Sequence, residues 1–387
     1  MSPHRHHHLH IDQAVAVSAF AGVSAIASVY VYFLIFAEFA FIEHARLLKN
    51  PVNLTALMIA LALAGVVGSL AAARWYRPEK GTQQLSIGFL ACAGAAGFSL
   101  MARNLPLVLI AAVMIGASLA WTTVTLSLCL RPTLHLKKLG IWCGLGTGLA
   151  YAFCNLPPVF TATPSTQTVI ALLAALAGFV VSFRLTSEPA KPSTSPEYRQ
   201  FGASLWVVLF LILVWLDSGV FFIIQHVQLL SASTWDGTLN LQGNAFVHLC
   251  TAVIAGLALD RRRLPLAVGA ALLALIGSGL LLNGSGGALP ASRVCYTTGV
   301  SLYTTAVVYY SARGGRPWLS GVLFAVSGWL GSAAGIGMAR SLQAVPVAFI
   351  VTTAIVAIAA FVTRHLWLRH IRILATENPF GIDPRKV

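Results

Sequence analysis

The sequence predicts an all-α membrane protein of twelve spanning helices, arranged as two related six-helix bundles. Three observations carry that prediction. Of the 387 residues, 57% are hydrophobic and only 9% are charged, against about 25% charged in a soluble domain. A core this apolar leaves too little polar surface to face water, whereas lipid-facing positions must themselves be apolar. Apolar runs of spanning length, about 20 residues, recur twelve times along the chain. The Lys and Arg residues between those runs then alternate in density, loop by loop.

The runs fall at 18–43, 53–74, 85–102, 107–130, 139–157, 167–184, 203–227, 240–260, 264–283, 292–312, 317–339 and 344–364. Taken in order, Arg5 precedes the first, and Arg46 and Lys49 follow it. Arg74, Arg77 and Lys80 follow the second and Arg103 the third. Arg131, Lys137 and Lys138 follow the fourth. Arg184, Lys191 and Arg199 follow the sixth, and Arg261, Arg262 and Arg263 the eighth. Arg293 introduces the tenth, Arg313 and Arg316 follow it, and Arg340 follows the eleventh. Arg364, Arg369, Arg372, Arg385 and Lys386 close the chain. With both termini in the cytoplasm, 20 of the 25 Lys and Arg residues lie inside and 5 outside. That asymmetry is the positive-inside pattern, and it supports both the orientation and the even number of helices.

The net charge of +14 therefore belongs to membrane edges and not to a nucleic-acid surface. The six cysteines, at 92, 129, 143, 154, 250 and 295, lie in or beside apolar runs with no CxxC pair. That excludes a disulfide framework and a zinc module. The first apolar run is too long for a signal-peptide core, so the first helix is expected to be retained.

The longest polar stretch, Thr186–Gly202, is rich in Pro and Ser and cannot span. It divides the chain into a His-rich cytoplasmic tail (1–17), an N-terminal six-helix bundle (18–185), a cytoplasmic linker (186–202), a C-terminal six-helix bundle (203–366) and a cytoplasmic tail (367–387).

The two halves repeat. Leu34-Ile35-Phe36-Ala37-Glu38 matches Leu213-Val214-Trp215-Leu216-Asp217 at an offset of 179. Gly116-Ala117-Ser118-Leu119-Ala120-Trp121-Thr122-Thr123 matches Gly299-Val300-Ser301-Leu302-Tyr303-Thr304-Thr305 from an offset of 183. Gly68 to Arg74 matches Gly256 to Arg263 at an offset of 188. Parallel six-helix repeats about an axis along the membrane normal are a known transporter architecture.

The stretch Gly256-Leu257-Ala258-Leu259-Asp260-Arg261-Arg262-Arg263 resembles the Gly-x-x-x-Asp-Arg loop that the major facilitator superfamily carries after its second and eighth helices. The first-half copy is degenerate, with Ala72 where the family has Asp. The resemblance implies a secondary transporter that works by alternating access, with Gly256, Asp260, Arg261 and Arg262 at a cytoplasmic gate. Physically, the Asp260 carboxylate can meet a helix N-terminus or a nearby Arg as the halves close.

Glu38 and Asp217 are the sharpest candidates for chemistry. Each is a carboxyl inside an apolar run, which costs about 2.5–3.5 kcal/mol on insertion scales. Such residues face a cavity or a partner, and burial favours the protonated form of a carboxyl, which suits a proton carrier. The alternative is a structural hydrogen bond between helices. Polar residues at helical spacing mark further faces: Ser118, Thr122, Thr125 and Cys129; Thr147, Tyr151 and Asn155; Asn240, Asn244, His248 and Thr251; Thr297, Ser301 and Thr304. The candidate proton- and substrate-binding set is Glu38, Asp217, Asn244, His248, Trp121, Thr122, Tyr303 and Thr304. No Lys or Arg sits at mid-span, which disfavours a strongly anionic substrate.

Metal binding is a second reading. His4, His6, His7, His8 and His10 crowd the N-terminus, and imidazole suits Cu, Zn and Ni. A copper-importing branch of the same superfamily, linked to cbb3-type oxidase assembly, carries Met-x-x-x-Met on its seventh helix and His-x-x-x-Met on its eighth. Here His248 alone matches, because Ala252 replaces the Met and the seventh run has none.

The expected function is a proton-coupled secondary transporter of a small molecule or ion, acting alone in a bacterial inner membrane, without a cofactor or nucleic acid. The alternatives are a copper-type importer and a non-transporting assembly or receptor subunit on the same scaffold. The glycine-rich runs lack a preceding strand and a Walker Lys. No His-x-x-x-Asp or His-Glu-x-x-His motif supports an enzyme.

Overall fold

The computed structural model describes residues 3–48, 53–134, 136–186, 192–284 and 286–377, with side chains from Val17 to Ile371 and at Ile373. Among the described residues there is no strand, and a long helix occupies each of the twelve predicted spans. Helix α1 runs Pro3–Val31, passes into a π-helical stretch, Tyr32–Ala40, and ends with Phe41–Arg46. There follow α2 (Leu54–Trp75), α3 (Gly81–Met101), α4 (Leu105–Thr133), α5 (Leu139–Cys154) and α6 (Pro164–Ser182). The second series is α7 (Gln200–His226), α8 (Thr238–Asp260), α9 (Leu264–Leu282) and α10 (Leu289–Gly314). It ends with α11, which joins Pro317–Val322, a second π-helical stretch Leu323–Leu330 and Gly331–Leu342, and with α12 (Val347–Glu377).

Local chemistry accounts for several boundaries. Asn53 caps α2, accepting from Thr55 N at 3.0 Å and Ala56 N at 3.2 Å. Asn104 caps α4 and Thr163 caps α6 in the same way. Side-chain oxygens there satisfy backbone donors that have no partner within the helix. Pro opens α4, α6, α9, α10 and α11, where its missing N–H is no loss. Gly315 closes α10 at φ +60°, a left-handed conformation that glycine adopts without strain.

Ten of these helices are long and apolar enough to cross a membrane. Of the other two, α5 has 16 residues. Helix α10 has 26 residues but is polar, and 19 of them are buried in protein. A helix wrapped by its neighbours can carry polar groups that lipid would not tolerate. Outward faces are apolar instead, with Leu63 57%, Leu273 73% and Ile358 63% exposed. Helix α12 runs thirteen residues past the predicted end at 364, and α1 begins at Pro3, within the expected tail. Residues 187–191 of the linker and 378–387 of the tail lie outside the described residues.

The packing repeats as the sequence does. In the first half α2 packs on α4, α3 on α4 and α6, and α1 on α5 and α6. In the second, α8 packs on α10, α9 on α10 and α12, and α7 on α11 and α12. Adding six to each member of the first set generates the second. Across the seam, α5 meets α8 and α2 meets α11, and the same operation exchanges these two contacts. Residues close to repeat-equivalent positions also meet one another. Arg46 Nη2 lies 3.0 Å from His226 Nε2, 180 positions apart, and Ser311 Oγ lies 2.9 Å from Ser127 Oγ, 184 apart. Residues related by a twofold axis touch only near that axis.

Candidate functional site

A cavity lies on the seam. Both halves line it. Glu38 and Phe39 come from the π-helical part of α1, and Tyr151 and Asn155 from α5. Asp217 and Phe221 come from α7, His248 from α8, and Tyr296 and Tyr303 from α10. π-Helical stretches are rare and occur frequently at functional sites; this one holds Glu38.

The two carboxyls differ in their partners. Tyr303 Oη donates to Asp217 Oδ2 at 2.5 Å, while Asp217 Oδ1 is buried without a partner. Glu38 accepts no hydrogen bond among the described residues, and it lines the same cavity as Asp217. His248 is buried. Its Nδ1 lies 2.7 Å from Ser301 Oγ, and its ring stacks on Tyr151 at 4.4 Å between centroids. That stack joins α5 to α8 and hence one half to the other.

Contacts across the seam bracket the cavity at both ends. At the end that carries the linker, Thr147 and Thr305 hydroxyls pair at 2.8 Å. Arg131 Nη1 donates to the carbonyls of Arg313 at 3.1 Å and Gly314 at 3.3 Å. Asp260 accepts from Gly140 N at 2.7 Å and from Ile141 N at 3.0 Å. One carboxylate on α8 thus caps the N-terminus of α5 in the other half, where unpaired N–H groups and the helix dipole favour a negative charge. Closeness makes this possible. A Cβ on Gly140 would stand 2.4 Å from Gly256 O, and one on Gly144 would stand 2.3 Å from Ala252 O. Beside this contact the linker is pinned to the second half. Arg316 donates to Tyr198 O at 2.5 Å, and Glu197 pairs with Arg364 at 2.5 Å. Burial pushes the Tyr198 hydroxyl's ionisation far above its ordinary range, so it stays a neutral ring stacked on Tyr310 at 4.9 Å.

At the far end, aromatic rings close over the cavity. Phe39 meets Phe221 at 5.5 Å, Phe160 at 5.8 Å and Trp235 at 6.0 Å, in edge-to-face geometry. Phe39 and Phe160 belong to the first half, Phe221 and Trp235 to the second. The Arg46–His226 contact lies beyond them.

Of the predicted set, the structure brings Glu38, Asp217, His248 and Tyr303 to one cavity and places the other four outside its lining. Trp121 donates from Nε1 to Gln84 O at 3.1 Å, inside the first half. Thr122 returns its hydroxyl to Ser118 O at 2.7 Å, and Thr304 returns its own to Val300 O at 2.7 Å. Such bonds within one helix satisfy a buried hydroxyl without a ligand. Asn244 donates to Thr234 O at 2.9 Å and anchors the α7–α8 connection. The polar face of α4 therefore serves packing. In the gate, Gly256 and Asp260 lie on the α5–α8 contact, whereas Arg261 and Arg262 are exposed beyond it. Ala72, at the Asp position of the first-half copy, is simply buried. Among the described residues no group of three or more His, Cys, Asp or Glu side chains is placed to hold a metal ion. The side chains of His4, His6, His7, His8 and His10 lie outside the described residues.

Sequence reasoning missed Tyr296 and the aromatic cluster. A signal existed for Tyr296, which stands seven residues before Tyr303 and hence on the same helix face. For Phe39, Phe160, Phe221 and Trp235 there was none, because aromatic residues serve lipid, packing and cavity alike.

Replacing Asp260 by Asn keeps an acceptor but removes the charge from the α5 cap. The expected loss is about 1 kcal/mol of closure at the linker end, or roughly fivefold in the closed-to-open ratio. The rate at which a maleimide applied from that end labels Cys154, left as the lone thiol in the cavity wall, should rise by that factor.

No protein-family model matches the sequence, and no curated protein does at a significant level. Solved structures do match the fold. The human organic anion transporter MFSD10 is 15% identical at a TM-score of 0.60, over 93% of this chain and 99% of that one. The major facilitator transporter FucP, in its outward conformation, is 13% identical at 0.61, over 91% and 98%. A bacterial homologue of the iron transporter ferroportin, outward-facing with soaked iron, is 14% identical at 0.59, over 90% and 96%. The chain has the major facilitator fold over nearly its whole length.

Proposed function

We propose that this chain is a secondary transporter that moves a small solute across a bilayer by alternating access, with protons carried on Glu38 and Asp217. One observation carries the reading: two carboxyls, one of them with a buried oxygen that has no partner, face a cavity on the seam between repeat-equivalent halves. A buried acceptor without a partner costs about 1–3 kcal/mol, and a proton or a bound solute relieves that cost. The bracketing contacts supply the rest of a cycle. When the Asp260–α5 cap and the Arg131 bridge let go, the cavity opens toward the linker. When the Phe39 cluster parts, it opens to the far side. The two openings exclude one another if each half moves as a body about the cavity.

The linker end faces the cytoplasm in this reading, on the strength of the Lys and Arg distribution. Transport of a bare metal ion finds no ligand set among the described residues.

The test is reconstitution of the full chain in liposomes containing a pH-sensitive dye, challenged in turn with amines, amino acids, sugars and carboxylic acids. The reading expects one class to move protons across the membrane only in liposomes that hold the protein. Silence across all classes under gradients of either sign would return the chain to the assembly or receptor reading.

A further inference from the structure

Several groups that line the cavity have committed a donor within the protein. Asn155 Nδ2 donates to Tyr151 O at 2.9 Å, and Gln167 Nε2 donates to Phe160 O at 2.9 Å. Ser218 Oγ donates to Ser332 Oγ at 3.1 Å, and Tyr303 Oη donates to Asp217. Among the acceptors, Asp217 Oδ1 is buried with no partner, and Glu38 lines the same cavity. No Lys or Arg lines the cavity. The two carboxyls call for positive charge, and a carboxylate or phosphate solute would add to the negative charge instead of answering it.

The walls favour a particular carrier of that charge. Phe39, Phe221, Trp235, Tyr151 and Tyr296 surround the carboxyls, and aromatic faces attract cations. A bare metal ion is disfavoured, since it needs several fixed ligands and none are grouped here.

We infer that the solute is a small organic cation, an amine or quaternary ammonium with an apolar or aromatic body. Its charged head lies between Glu38 and Asp217, and its body lies against the Phe39–Phe221–Trp235 rings. The inference rests on the transport reading of the same cavity. It adds that proton and solute compete for the same two carboxyls, so that loading one releases the other.

The test is calorimetric binding to the purified full-length chain, with benzyltrimethylammonium as probe, benzyl alcohol as the neutral comparison and benzoate as the anionic one. The cation should bind at least about tenfold more tightly than either. Asp217→Asn should weaken it by about tenfold or more, and Glu38→Gln in the same direction, with both variants melting where the parent does. Equal or tighter binding of benzyl alcohol or benzoate would overturn the inference. So would a cation affinity that neither substitution changes, or one lost only in variants that no longer melt cooperatively while Phe221→Leu, which thins the aromatic wall and keeps both carboxyls, binds as the parent does. The liposome assay separates this inference from its premise. Cation binding without solute-driven proton movement keeps the substrate class and removes transport. Proton movement driven by sugars or carboxylic acids, with no cation binding, keeps transport and removes the substrate class.

Discussion

Asp217→Asn is expected to lower pH-gradient-driven accumulation of solute by about 100-fold or more, equivalent to about 3 kcal/mol, while the protein still folds. The amide oxygen can take over the Tyr303 hydrogen bond, now 2.5 Å long, so the α7–α10 contact survives. What disappears is the charge and the ability to gain and lose a proton. Asp217 Oδ1 has no partner, and an amide nitrogen there satisfies itself no better than the acid did, so stability should change little. Tyr303→Phe is the informative contrast. It leaves a buried carboxyl without its donor, and should reduce transport by about tenfold through misplacement, not loss, of the proton site. Initial rates of uptake in proteoliposomes, with melting temperatures alongside, measure both. Asn at 217 with parental accumulation would remove the proton role of that residue.

Gly256→Leu should have a comparable effect for a different reason. A Cβ at 256 would stand 2.4 Å from Gly140 O and 2.8 Å from Ile141 Cα. Both are backbone atoms of α5, so no side chain can swing aside and the two helices must separate. Overpacking costs about 1–3 kcal/mol where neighbours can adjust, and more is expected here. The contact lies between the halves, so the penalty falls on one state, the one closed at the linker end. A bias of about 3 kcal/mol shifts a two-state equilibrium by about 100-fold. Cys154 as the lone thiol should then react with an impermeant maleimide from the linker side at the rate of a permanently open cavity, and transport should stop. Gly256→Ala should show the same direction less strongly. Unchanged labelling in the Leu variant would mean that α5 and α8 do not form the closing contact.

Much of this was legible in the sequence, and the reasons for success and failure are physical. The helices could be read because lipid demands apolar residues over a fixed length, and that pattern survives in a single sequence. Glu38 and Asp217 stood out because a charge inside an apolar run is costly and because the repeat places them together. The repeat also equated Trp121-Thr122 with Tyr303-Thr304, and there it misled. A repeat preserves the course of the backbone, whereas side-chain roles diverge: Tyr303 turns to Asp217, while Trp121 turns back to Gln84 within its own half. The Thr hydroxyls close on their own helices, which spacing along one face cannot distinguish from facing a cavity. The π-helical stretch that carries Glu38 has no sequence signature. Helix α10 fails a hydropathy test and still belongs to the bundle, because its neighbours and not lipid surround it.

The most direct test of the central claim is the count of protons moved per solute in proteoliposomes, with the parent compared to the Glu38→Gln, Asp217→Asn double variant. A protein that carries protons on this pair gives solute-driven proton movement in the parent and none in the double variant, at equal amounts of folded protein in the membrane. Proton movement of undiminished size in the double variant would place the coupling elsewhere and contradict the account.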